Sequence, residues 1–563
     1  MQANIITKAN SVMTSGHRAQ FRAWWSSTVS ALLFLVIPLV FVFAVFHLTK
    51  AKGPQWLPFT FENPYNYLFN SLLLVKGEAP YSIDHPGTTT QVFGAIVLRA
   101  SSLASNEDLI KTVIRRPEHY IRILHWDLIT FTVLVLWLVP WLTAKALGNR
   151  FVGLLLQAPS LFFSTLLWYG VLFGPDLMLV PFSVAAVCCC ALLAIPSRSA
   201  HLTFLLGIGD DQVATGSTHL RRIPVTATVT GLICALGVAT KLTFFPLVLI
   251  SLLCCRSRKN LLAFSIAFIS ALAVALLPIY SRLGQLMTWA FNLGIHSGRY
   301  DTGDVGLPQS SVYLSALRSL VETEPLVVII PIVATLTVLG LSLSSRKQTS
   351  ENIIVWRTAL VLLVIQAISF FAIAKEMGVH YLIPLSLTTG LNLLFLVQAC
   401  RSVSRSKVKR TIGWIVLIGL LLFVGKSSFE RTTDLYASLQ EQKRDLVRLY
   451  RHAEEVTQND VRVDYFFSDS PIYPLCYGND WAGGAFGPIL SSLYPNQLFL
   501  NIFNGRFQTF SEWIKPEDIL KKYDHLYFLG NAKWFPKIKG FEPETLETID
   551  QAGNYSLQRW TRK

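Results

Sequence analysis

The run TVSALLFLVIPLVFVFAVFHL at 28–48 contains no Lys, Arg, Asp or Glu. A helix of that length, about 21 residues at 1.5 Å each, crosses a hydrocarbon core of about 30 Å. The preceding segment is polar and holds Lys8, Arg18 and Arg22, while the following HLTKAKGPQW offers no small-residue cleavage site. The run therefore reads as a retained first span with the N-terminus in the cytoplasm, not as a signal peptide. Working outward, ten further apolar stretches lie near 123–143, 151–168, 175–196, 225–240, 242–255, 261–281, 326–344, 358–374, 382–400 and 411–425. The fold class expected is an α-helical polytopic membrane protein of about eleven spans. Its composition agrees: of 563 residues 52% are hydrophobic and 15% charged, and the mean hydropathy is +0.45. A water-soluble chain carries about 25% charged residues.

Charge placement tests the alternation. The net charge of +15 would point to nucleic acid in a soluble protein, but here the cations sit between spans. Lys145 and Arg150, RSRK at 256–259, and RSVSRSKVKR at 401–410 fall on the side assigned to the cytoplasm, as the positive-inside rule requires. The pair at 225–255 is short for two spans. A single span there would reverse every later loop, so two short helices are expected to meet at Lys241 near the outer surface. Seven of the eight cysteines lie in or beside apolar stretches, where a thiol packs as a small hydrophobe. The triplet Cys188–Cys190 reads as lipid-facing or packed filler, and neither a disulfide framework nor a zinc site is indicated.

Three regions remain outside: a loop near 49–122, a loop near 282–325, and a tail. The expected organisation is a cytoplasmic segment at 1–27, a transmembrane unit at 28–425 and an extracytoplasmic α/β domain at 426–563. The tail opens with a charged helical stretch, DLYASLQEQKRDLVRLYRHAEEV, and continues through strand-like runs such as VRVDYFF, HLYFLG and YSLQRW. At about 138 residues it is large enough for its own core.

The first outer loop holds the most chemistry: FENPYNYLFNSLLLVKGEAPYSIDHPGTTTQVFGAIVLRA at 61–100. NYLFNSLLL is expected to lie as an amphipathic helix on the membrane surface. Glu62, Asp84 and His85 flank it; on residue type alone Glu62 and Asp84 read first as solvated loop charges, since loop carboxylates are common. ENPY followed by DHPG resembles the first outer loop of the GT-C superfamily of membrane glycosyltransferases, nearest to the protein O-mannosyltransferase and aminoarabinose-transferase branch. Glu62 falls at the family's first acidic position, and His85 and Pro86 match the start of the second motif. Glu replaces the family's Asp, and Gly87 replaces its second Pro. Further matches keep the family's order: FGPDLMLVPF gives Asp176, GLICALGVATKLTFFPLVL gives Lys241, and HYLIPL gives His380 and Tyr381.

The resemblance implies inverting transfer of one sugar from a polyprenyl-phosphate donor to a lipid, glycan or protein acceptor on the outer side. A carboxylate would serve as general base, Glu62 ahead of Asp84, and a cation would meet the departing phosphate. Lys241, isolated between apolar helices, either snorkels to the interface or meets that anion. FNLGIHSGRYDTGDVGLP adds His296, Arg299 and Tyr300 as candidate substrate-binding residues, while Asp301 and Asp304 could hold a divalent cation as cofactor. Asp127 is expected to line the cavity or bond a neighbouring helix. GIGDDQVATGSTHLRR at 207–222 lacks the Lys-Ser/Thr of a phosphate loop. SDSPIYPLCYGNDWAGGAFGPILSSLYPNQ in the tail is a candidate acceptor surface. The competing readings are a transporter or flippase of a lipid-linked sugar and an inactive scaffold. The expected partners are the donor, the acceptor and membrane lipids, with no nucleic acid. The expected location is a bacterial inner membrane, with the C-terminus extracytoplasmic.

Overall fold

A computed structural model describes residues 29, 31–83, 85–101, 108–195, 224–298, 302–306, 308–343, 350–376, 378–402, 407–458, 460–502, 504–535 and 546–562. Asp84, Arg299, Tyr300, Asp301 and the stretch 207–222 lie outside the described residues. Among the described residues, eight helices are long and apolar enough to cross a membrane.

The membrane half runs as α1 (Ala31–Lys52), α2 (Pro64–Lys76), α3 (Thr88–Ser101), α4 (Leu109–Arg115), α5 (Pro117–Ala146), α6 (Arg150–Gln157), α7 (Ser164–Tyr169), α8 (Pro175–Ala194), α9 (Val225–Thr240), α10 (Phe245–Cys254), α11 (Arg258–Ala275), α12 (Leu283–Ile295), α13 (Ser310–Thr323), α14 (Leu326–Leu343), α15 (Ser350–Ala374), α16 (Val379–Arg401) and α17 (Lys407–Val456). Eight of the eleven expected stretches appear as long spans, and the pair at 225–255 forms the two shorter apolar helices α9 and α10. The stretch at 151–168 is broken into α6, a 3-10 turn at Ala158–Leu161, and α7, because Pro159 in that turn has no N–H for a continuous ladder.

Burial sorts the spans. α8 and α16 are almost wholly enclosed, and the cysteine triplet is packed inside α8 rather than facing lipid. The peripheral spans expose large apolar side chains such as Phe43, Ile269, Leu336, Val364 and Leu422. Such a belt is unfavourable in water and favourable in lipid; the chain is a multi-pass membrane protein.

α17 is one helix of 50 residues, about 75 Å long at 1.5 Å per residue. The boundary expected at 425/426 falls inside it. Beyond it lies a mixed sheet built from β1 (Arg462–Tyr465), β2 (Leu498–Asn501), β3 (Arg506–Gln508), β4 (Trp513–Ile514), β5 (His525–Asn531), β6 (Leu546–Ala552) and β7 (Tyr555–Thr561). The order is β4-β3-β2-β1-β5-β7-β6. β1 is parallel to both β2 and β5, and the outer pairings are antiparallel. The three strand-like runs of the sequence are β1, β5 and β7.

The sheet holds the first outer loop in place. Leu446, Leu449 and Ala453 of α17 form one core with Leu57, Leu529 and Leu557. Asp469 accepts the Phe59 N–H at 3.1 Å, the Tyr477 hydroxyl donates to the Phe61 carbonyl at 3.1 Å, and the Asn70 amide donates to the Trp481 carbonyl at 3.1 Å. As a consequence α2 is buried on nearly all sides, not laid on the membrane surface as its pattern suggested. The tail domain covers the face that would otherwise meet water.

Candidate active site

The ENPY motif sets the first carboxylate. Asn63 is the N-cap of α2, its side chain accepting the Tyr65 N–H at 3.0 Å, and Pro64 occupies the first turn, where a missing N–H does no harm. Glu62 is thereby fixed just before the helix. One turn on, the Tyr67 hydroxyl reaches back and donates to Glu62 Oε2 at 2.5 Å.

The second motif is stapled to the end of α9. The Gly87 N–H donates to the Thr240 carbonyl at 3.2 Å, and the hydroxyls of Thr88 and Thr89 donate to the carbonyls of Ala239 and Leu236, both at 3.1 Å. The Ala239 and Thr240 carbonyls are among those that the ending helix leaves without partners. Gly87 has φ +60°, which proline's ring forbids, so a proline could not stand at this position. The staple brings His85 beside Lys241.

Lys241 is the one extended residue between α9 and the next turn, at φ −161° and ψ 136°. A side chain at Gly237 would collide with the Phe244 ring, so glycine permits the tight reversal. Contrary to the expectation of a surface position, Lys241 is 0% exposed. Its Nζ donates to Glu62 Oε1 at 3.0 Å and to Asp176 at 3.1 and 3.3 Å. Asp176 sits in the first turn of α8, after Pro175. An acid there suits the helix end, but its carboxylate is turned onto the lysine, so snorkelling is replaced by a buried carboxylate–ammonium–carboxylate arrangement.

Two imidazoles flank Glu62 Oε1: His85 Nε2 at 3.4 Å and His380 Nε2 at 3.9 Å. His380 is held through Nδ1 by the Tyr169 hydroxyl at 3.2 Å. The Tyr381 ring lies under the Lys241 ammonium, 4.8 Å from Nζ to centroid, an added cation–π attraction. Trp289 of α12 closes on His85 edge-to-face at 5.5 Å. Burial acting alone would raise the Glu62 carboxyl, but Lys241, His85 and His380 outweigh it and hold Glu62 well below the usual carboxylate range. Burial and then Lys241 push the His85 imidazole below its ordinary value, against the pull of Glu62. Burial, followed by the Glu62 charge, raises the Tyr67 hydroxyl well above its ordinary value.

The structure thus brings together Glu62, His85, Asp176, Lys241, His380 and Tyr381, all named from the sequence. It adds Tyr67, Tyr169 and Trp289, which no sequence signal marked beyond Tyr67 standing one helical turn after the ENPY cap. His296 is not among the groups gathered around Lys241; it ends α12 and pairs across a loop with Val305. Asp127 is exposed rather than lining the site, and so is Asp304. Glu62, Asp176 and His380 offer ligand atoms that lie within 4.8 Å of one another. Such a set suits a hard cation, but the Lys241 ammonium already lies between the two carboxylates, and a divalent ion would meet it as a like charge.

Lysine has three N–H donors. Here Nζ makes three hydrogen bonds, one to Glu62 and two to Asp176, so an incoming anion would take over one of them. The arrangement can therefore hold an anionic group on the ammonium while a carboxylate 3.0 Å away accepts a proton.

No protein-family model matches the chain, and no curated protein matches it. Among solved structures, it is similar to ArnT from Cupriavidus metallidurans bound to undecaprenyl phosphate, at 10% identity and a TM-score of 0.46, over 94% of this chain and 97% of that one. It is also similar to the archaeal oligosaccharyltransferase AglB from Archaeoglobus fulgidus in complex with an inhibitory peptide and a dolichol-phosphate, at 11% identity and a TM-score of 0.40, over 90% and 70%.

Proposed function

We propose that the protein is a membrane glycosyltransferase that moves one sugar, with inversion, from a polyprenyl-phosphate donor to a hydroxyl of a lipid, glycan or protein acceptor on the extracytoplasmic face. The observation that carries this reading is the buried meeting of Glu62, Asp176 and Lys241. It is assembled from three distant segments, each of which also resembles a GT-C motif. Two acids and a lysine gathered this closely beside the membrane core are costly to a membrane protein unless they serve a substrate.

In the proposed step the acceptor oxygen attacks the anomeric carbon of the donor. The carbon–oxygen bond to phosphate breaks, and the acceptor proton passes to Glu62. The ammonium of Lys241 and the imidazoles of His85 and His380 meet the charge that grows on the phosphate. Asp176 keeps the ammonium in place. In the free protein Glu62 is ionised but weakly basic, because Lys241, His85, His380 and the Tyr67 hydroxyl face it. An anionic donor that draws Lys241 and the histidines toward itself raises that basicity when it is needed. The cation is supplied by Lys241, so no step is routed through a metal.

The reading includes an N-terminus in the cytoplasm, the 426–563 domain outside, and a bacterial inner membrane. Purified protein given a polyprenyl-phosphate carrying a radiolabelled sugar, together with a membrane-lipid acceptor fraction, tests it. Free polyprenyl phosphate should appear in step with labelled acceptor. A flippase would return the lipid-linked sugar intact, and a scaffold would leave it untouched; either result overturns the proposal.

A further inference from the structure

Back to back with the candidate active site lies a cavity of about 540 Å³ whose walls are mostly apolar and whose charged and polar lining residues are Arg115, Arg116, Glu118, His119, Tyr65 and Tyr494. Residues two apart on a helix point about 200° apart. On α2, accordingly, Tyr67 turns its hydroxyl to Glu62 while Tyr65 turns its own to Glu118, at 2.8 Å. The helix separates the two sites. We propose that this cavity binds the phosphate-bearing headgroup of an anionic membrane lipid in the outer leaflet. The inference goes beyond glycosyl transfer and depends only on this end of α5 facing outward.

Three observations carry it. First, RRPEHYIR at 115–122 holds Arg115, Arg116 and Arg122 against a single acid, Glu118, while Lys111 before it is paired with Asp108 at 4.0 Å. The positive-inside rule disfavours such a cluster beside an outer span end; a long loop is exempt, which permits the cations but does not explain them. Second, the one acid is already engaged. Glu118 accepts the N–H groups of Gln55 at 3.0 Å and Trp56 at 3.2 Å, besides the Tyr65 hydroxyl. Among the described residues no carboxylate pairs with Arg115, Arg116 or Arg122, and all three are exposed. Third, the position is right. α5 has 30 residues, about 45 Å, against a core of about 30 Å, so its first turns stand at headgroup level. Ile472 and Leu475 of the tail domain give the cavity an apolar side beside guanidinium forks that suit a phosphate.

The test uses the full-length protein reconstituted in phosphatidylcholine vesicles with or without phosphatidylglycerol. Spin-labelled phosphatidylglycerol should be retained over spin-labelled phosphatidylcholine by about tenfold or more, since each basic residue near the surface is worth roughly a factor of five toward an anionic headgroup. The variant Arg115→Gln/Arg116→Gln/Arg122→Gln should lose that preference, while Arg115→Lys/Arg116→Lys should keep most of it. An unchanged preference in the glutamine variant overturns the proposal. Should that variant fail to fold, photoactivatable phosphatidylglycerol on the unmodified protein decides. Cross-links within 109–122 and 471–494 support the site, and cross-links confined to other segments refute it. Inorganic phosphate that displaces the lipid at micromolar concentration would show a site for free phosphate instead, and would also overturn it.

Discussion

Replacing Lys241 with methionine keeps most of the stem and removes the ammonium. Glu62 and Asp176 then face each other with oxygens within 4.8 Å. At an effective dielectric constant of about 20, two unit charges at that separation repel by roughly 3.5 kcal/mol. Loss of one partner from a buried pair is typically about 3–5 kcal/mol, so Lys241→Met should lower stability by about 3 kcal/mol, partly relieved if one carboxyl takes up a proton. Turnover should fall by about a hundredfold to a thousandfold, the usual effect of removing one group that stabilises a departing anion. The two effects separate in the double variant Lys241→Met/Asp176→Asn. Without the second buried charge the melting temperature should recover most of the loss, while turnover should not recover. Thermal unfolding in detergent and a donor-cleavage assay on the same preparations read both quantities. Recovery of turnover in the double variant would refute the reasoning, since Lys241 would then serve only to neutralise Asp176. Wild-type turnover in Lys241→Met would do the same.

Asp469 offers a test of pH linkage. Burial pushes its carboxyl from 3.8 up to about 8, against the Phe59 N–H and Lys52. Below pH 3.8 the group is protonated in both folded and unfolded chains. Between 3.8 and about 8 only the unfolded chain releases the proton, so stability falls across that window as pH rises. Asp469→Asn should remove this loss and raise the melting temperature at pH 8 by on the order of 5 °C, with no gain near pH 4; a pH-independent difference would contradict the assignment. Asp84→Asn is expected to slow transfer by only about tenfold, because Glu62 is the carboxylate paired with Lys241; a dead Asp84→Asn enzyme would reverse the base assignment. A reporter fused after Lys563 should be active only outside the cytoplasm, and cytoplasmic activity would defeat the eleven-span alternation.

Much of this arrangement was legible from residue type and order. The spans announced themselves because uncharged runs of bilayer length have few other uses. Glu62, His85, Asp176, Lys241, His380 and Tyr381 were named from short motifs, and the structure brings them together. Depth was not legible. Two short helices with a lysine between them read the same whether the lysine faces headgroups or a carboxylate pair, and only packing of the first loop against α9 decides. The environment of α2 was misjudged for a related reason: its pattern fixes a helix, but what covers the second face is a domain about 400 residues away in sequence. Tyr67, Tyr169 and Trp289 carry no chemical signature apart from the groups they touch. Asp127 drew attention as a charge within a span, and helical phase placed it on the outward face.

The central claim is that Glu62 takes the acceptor's proton while Lys241 holds the donor phosphate. Single-turnover cleavage of a polyprenyl-phosphate sugar by wild type and Glu62→Gln, with donor binding measured on the same samples, tests it most directly. The amide keeps the size of the side chain and an oxygen for the Tyr67 hydroxyl, but cannot accept the proton. Cleavage should slow by about a hundredfold or more while the donor still binds. Equal cleavage rates in the two proteins would contradict the account.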